Sequence, residues 1–139
     1  MAREVLVPLD NSEPAQSALE YALEHHRDDS ISMIHVIEAM PVTPYQARSL
    51  TNLQEEHAEA LMSEAREITE DYDTRVEMEH VWGDPVEEIT DYVDEHDTDL
   101  VIIGSHGRGG VRRFFLGSVA EQVLRRLQIP VTVVSAEED

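Results

Sequence analysis

Five short apolar segments alternate with helical patterns along this chain, and that alternation restricts the fold more than any other feature. Arg3 to Leu9 alternates into an apolar run and predicts a first strand. Ile31 to Ile37, Arg75 to Val81, Leu100 to Ile103 and Pro130 to Val134 predict four more. Ser12 suits a helix N-cap with Pro14 in the first turn, and Ala15, Ala18, Leu19, Ala22 and Leu23 continue at helical spacing to about His26. A connector with Pro41 and Pro44 precedes a long polar helix from about Gln46 to Asp71, with Leu50, Leu53, Leu61, Ala65 and Ile68 on one face. Gly83-Asp84-Pro85 ends the third strand, Val86, Ile89 and Val93 mark a short third helix, and Val119 to Leu127 forms a fourth. The expected result is a single α/β domain over residues 1–139: a five-stranded parallel sheet with helices on both faces.

In such a sheet, ligands sit at the carboxyl ends of strands near a switch in strand order. The fourth strand runs directly into Gly104-Ser105-His106-Gly107, and Gly117-Ser118 then opens the last helix. Glycines let backbone N–H groups approach an anion, and a helix N-terminus favours negative charge. Residues 104–128 also carry five of the ten arginines against one acid, Glu121, whereas residues 1–103 hold five arginines and 26 acids. Arg108 is placed to reach a bound phosphate; Arg125 and Arg126 instead suit the dipole at the C-terminal end of the fourth helix. If the first and fourth strands are neighbours, Asp10 and the glycine loop face one crevice.

The net charge is −20 and the chain has no lysine. Surface acid at this density repels itself unless salt screens it, so the composition reads as adaptation to a salt-filled cytoplasm. Direct binding to nucleic acid or an anionic membrane is disfavoured. No run approaches eighteen apolar residues, and Met1-Ala2-Arg3 leads straight into strand-like sequence, so neither a membrane span nor a signal peptide is expected. With no cysteine, thiol chemistry and Cys-type zinc sites are absent. The seven histidines show no His-x3-His or His-x-His spacing, so no dedicated metal site is expected.

Three phosphate-binding folds fail on particular residues. A P-loop needs Gly-Lys, and there is no lysine. A dinucleotide fold wants its glycines after the first strand, where this chain has Pro8-Leu9-Asp10-Asn11-Ser12. Phospho-receiver domains resemble the alternation but include a late lysine.

The spacing Gly104-x2-Gly107-x9-Gly117-Ser118 resembles the ATP-binding signature of the universal stress protein family. Val5 to Ser12 resembles the family's first strand and Asp-bearing turn, His35-Val36-Ile37 its second strand, and Gly83-Asp84-Pro85 its turn into the third helix. The resemblance runs from residue 3 to about 135. It implies a Rossmann-like, adenine nucleotide alpha hydrolase-like three-layer sandwich that binds ATP, with Mg²⁺ carried by the phosphates. Pro8 and Asp10 would border the adenosine, Asp10 near the ribose, and Val36 would meet the adenine through its backbone. Ile103, Gly104, His106, Gly107, Arg108, Gly117, Ser118 and Val119 would complete the nucleotide site. His106 reads more as a loop residue than as a base, and no catalytic residue is assigned. A homodimer through the C-terminal strand 130–135 is implied, since an apolar edge strand needs covering. The expected role is a nucleotide-dependent stress-response protein in the cytoplasm. The alternatives are a slow ATPase or nucleotidyl-transferring enzyme on the same crevice, or a nucleotide-free dimeric interaction module.

Overall fold

A computed structural model describes residues 2–10, 12–38, 43–106 and 116–136. Its elements, in chain order, are β1 (Glu4–Pro8), α1 (Glu13–His25), β2 (Ser30–Ile37), α2 (Pro44–Glu70), β3 (Val76–Trp82), α3 (Pro85–Glu95), β4 (Leu100–Gly104), α4 (Ser118–Arg126) and β5 (Val131–Val134). All strand pairs are parallel, in the order β3-β2-β1-β4-β5. The order reverses between β1 and β4, where Val5 pairs with Leu100 and Leu6 with Val101.

Side chains along a strand alternate between faces, and the core divides accordingly. Val5, Val7, Ile31, Met33, Leu100 and Ile102 pack on one face against α1 and Ala65 of α2. Leu6, Ile34, Val101 and Ile103 pack on the other against α3 and α4, through Val86, Ile89, Val93, Ala120 and Val123. The three central strands are thus covered on both sides, which is why they read as nearly unbroken apolar runs.

Two expectations about α2 need correcting. The helix begins at Pro44 rather than Gln46, because a proline fits the first turn, where no N–H is needed. Of the expected stripe, Ala65 is buried and Leu61 and Ile68 pack against the same core, but Leu53 remains 48% exposed, and Ala58, Met62 and Thr69 are buried instead. The buried positions all fall in the C-terminal half, where small alanines let the helix lie close to the sheet; Tyr45, in the first turn, is 96% exposed. No helix among the described residues is long and apolar enough to cross a membrane.

Candidate functional site

The switch in strand order leaves a crevice where β1 and β4 end. Leu9 leaves β1 with its N–H bonded to the Ile34 carbonyl at 2.8 Å, and its own carbonyl accepts from His35 Nδ1 at 2.9 Å. A carbonyl only accepts, so that bond places the His35 proton on Nδ1. The two bonds hold the turn that carries Asp10. Asp10 Oδ1 accepts the Ser12 N–H at 3.0 Å, an Asx-type turn, while Oδ2 makes no hydrogen bond among the described residues. Ser12 Oγ then accepts the Ala15 N–H at 3.2 Å and caps α1, and the hydroxyl lies 3.5 Å from the His106 carbonyl.

Gly104 and Gly117 have a structural reason to lack side chains. A Cβ on Gly104 would lie 2.7 Å from Pro14 C and Ala15 N, so α1 crosses the end of β4 at backbone contact. A Cβ on Gly117 would lie 2.9 Å from His106 Cα, and the Gly117 N–H bonds the Ser105 carbonyl at 2.6 Å. These contacts draw the N-termini of α1 and α4 to the same point. The requirement for glycine at these two positions thus comes from the protein's own backbone.

The helix N-termini differ in how their free N–H groups are met. Ser12 caps α1, and Asp84 Oδ2 caps α3 by accepting the Glu87 N–H at 3.1 Å. The N-cap of α4 is Gly117, which offers no side-chain acceptor, and the first helical return bond is Glu121 N–H to the Gly117 carbonyl at 2.9 Å. The N-cap of α2, Thr43, makes no side-chain cap bond either, but no residue of α2 lines the crevice. Among the described residues the first N–H groups of α4 are the uncapped ones at that crevice.

Between these elements lies a cavity of about 460 Å³, within the usual range for small-molecule sites. Nine of the sequence-predicted residues line it: Pro8, Asp10, Val36, Ile103, Gly104, His106, Gly117, Ser118 and Val119. Gly107 and Arg108 lie outside the described residues. Arg125 and Arg126 stand in the last turn of α4, with Arg125 paired to Glu121 at 2.9 Å, and neither lines the cavity. His106 Nδ1 lies 3.2 Å from Ser105 Oγ.

Sequence reasoning missed Glu38, Pro85 and Ile89, which also line the cavity. Pro85 and Ile89 belong to α3, whose position beside β2 and α4 follows only from the strand order. Glu38 follows Val36 by two residues, so continuation of the strand's alternation onto the same face was the signal that pointed to it. Among the described residues, no three histidines or acids are grouped as metal ligands.

A model of the universal stress protein family matches residues 1–135. Universal stress protein Sll1388 of Synechocystis sp. is 30% identical, over 94% of this chain and 96% of its own length. The structure of protein MJ0577 from Methanocaldococcus jannaschii superposes with a TM-score of 0.87 at 30% identity, covering 100% of this chain and 99% of that one. Two more distant structures share the fold. The Archaeoglobus fulgidus universal stress protein in complex with dAMP has a TM-score of 0.70 at 22% identity, covering 96% of this chain and 98% of its own. An Arabidopsis thaliana family member with AMP bound has a TM-score of 0.73 at 18% identity, covering 99% and 94%.

Proposed function

This chain belongs to the universal stress protein family, and from that membership we propose that it binds an adenosine nucleotide, ATP with its Mg²⁺, as a nucleotide-dependent stress-response regulator. The carrying observation is the cavity at the β1–β4 switch, where Asp10 and the uncapped N-terminus of α4 line one space. Family members from A. fulgidus and A. thaliana that hold dAMP and AMP support the same ligand class. Asp10 Oδ2 accepts from the ribose hydroxyls, the Val36 main chain meets the base between Pro8 and Ile103, and the α4 N–H groups of Ser118 and Val119 take the phosphates. Gly107 and Arg108 are assigned to the phosphates by resemblance alone. Mg²⁺ is held by phosphate oxygens rather than by a protein cage, as is usual for this ion.

The protein works as a cytoplasmic homodimer joined through strand 130–135, and it holds ATP more than it consumes it. Hydrolysis needs a group to position water beside the phosphates. Of the cavity's two carboxylates, Asp10 is at the sugar, and Glu38 follows Val36 on the far side of β1 from α4. Among the described residues lining the cavity, His106 is the ionisable side chain at the phosphate end, so steady turnover abolished by His106→Ala would favour the enzymatic alternative.

Two measurements test the nucleotide reading. Mass spectrometry of protein purified gently at high salt is expected to find co-purified nucleotide, and calorimetry in about 2 M KCl to detect ATP binding. Failure of both overturns the reading. Ser118→Asp puts a carboxylate in the first turn of α4, where it suits the helix dipole but opposes a phosphate. It is expected to weaken ATP binding at least about tenfold, roughly the cost of one lost charge-assisted contact plus repulsion, without lowering the melting temperature. Unchanged affinity would move the phosphates elsewhere. Gly117→Val is a poorer test, because its Cβ would strike the His106 backbone whether or not nucleotide binds there.

A further inference from the structure

We infer that Glu38 selects the base: its carboxylate accepts a hydrogen bond from the exocyclic amine of adenine, and this rests on the nucleotide reading above. Ile34 and Val36 of β2 belong to the α3–α4 side of the sheet. Glu38 continues that row beyond the strand end and lines the cavity. Its backbone is held on both sides of the strand end. Gln54 Nε2 of α2 donates to the Glu38 carbonyl at 2.9 Å, and the Gly83 N–H donates to the Ile37 carbonyl at 3.0 Å. The side chain therefore starts from a fixed point.

The cavity is polarised. At the α4 end are N–H groups with no side-chain cap among the described residues, and Asp10 stands at the β1 turn. The β2 and α3 residues that line the cavity with Glu38 are apolar: Ile34, Val36, Pro85 and Ile89. Among the described residues no side chain pairs with the Glu38 carboxylate. A ligand lying along this axis with its phosphates on α4 brings its base to Glu38. An ionised carboxylate only accepts hydrogen bonds. An amino group on the ring meets that requirement, whereas a carbonyl oxygen attached to the ring at the same place sets lone pairs against lone pairs.

The test is a cycle between protein and ligand. Calorimetry at high salt compares ATP with purine riboside triphosphate, which lacks only the amine, for wild type, Glu38→Gln and Glu38→Ala. The Gln54 bond is to the main chain and survives both substitutions; equal melting temperatures will verify folding. Loss of the amine is expected to weaken wild-type binding about fivefold or more, and binding to Glu38→Ala by less than about twofold. Glu38→Gln, whose amide can turn to donate or accept, is expected to fall between. An equal loss in all three proteins overturns the assignment, as does wild-type binding of GTP as tight as that of ATP. Wild type that binds no nucleotide overturns the nucleotide reading and this assignment with it; equal wild-type affinity for ATP and the purine analogue overturns this assignment alone.

Discussion

Asp10 divides its carboxylate, with Oδ1 fixing its own turn and Oδ2 making no hydrogen bond among the described residues, so one residue of the cavity lining is both scaffold and candidate ligand group. Such double use is why side-chain identity alone could not rank cap against contact. Ser12 was legible as a cap from Ser followed by proline in the first turn, a local signal. The turn after α3 was not: Asp97 adopts φ +50°, a conformation that glycine would announce and aspartate does not. Asp29 is another residue whose role needed tertiary contacts. Burial pushes its carboxyl up, but the Arg3 N–H at 2.9 Å on Oδ1, His26 Nδ1 at 2.9 Å on Oδ2 and the Arg3 charge outweigh burial and hold it below the ordinary carboxylate value. A carboxyl held low in the folded state stabilises above its unfolded pKa, and that contribution disappears as pH falls through the folded one. Asp29→Asn is therefore expected to cost about 1 kcal/mol at pH 7. The gap from wild type should close below about pH 4 in thermal melts followed against pH. A gap that is constant down to pH 2 would contradict the ionic role.

Element identity was legible where periodicity is local, as in β4, whose five residues are all buried, and α1, whose apolar positions recur at helical spacing. The long helix was legible in type and, over its C-terminal half, in orientation: Ala65, Leu61 and Ile68 of the expected stripe pack on the core. Leu53 does not, and Ala58, Met62 and Thr69 join the buried face instead, because distance to the sheet, not hydrophobicity alone, decides which positions turn inward. The two sheet edges also differ. Edge strand β3 carries Glu77 and Glu79, exposed charges of the kind that discourage pairing, whereas β5 reads Val-Thr-Val-Val with no charge. Val133 and, on the neighbouring α4, Leu124 are 38% and 44% exposed. That asymmetry supports pairing of two copies through β5 rather than β3. A two-fold axis would set equivalent residues close together, so Val133→Arg places two like charges at the interface. Light scattering at high salt is expected to find wild type dimeric and the variant monomeric at micromolar concentration; two dimers, or two monomers, would refute this arrangement.

For the whole molecule, the decisive quantity is charge: thirty acids, ten arginines and no lysine. At molar salt the screening length drops to about 3 Å and the acids no longer act on one another across the surface. We propose halophilic adaptation on this ground, and expect the melting temperature to rise by about 10 °C or more between about 0.1 M and 2 M KCl. A flat salt response would leave the acids to some other role. The sequence by itself determined which segments are strands or helices, their order, the glycine signature after β4 and the family, because these depend on residues near one another along the chain or on a spaced signature. Only the tertiary structure decided the strand order β3-β2-β1-β4-β5, and with it the crevice. Ser12 approaches His106 across 94 residues, Gly104 receives the backbone of α1, and Glu38 and Pro85 line one cavity. None of these meetings has a local sequence signal, because each is set by how distant elements pack and not by what either element would do alone.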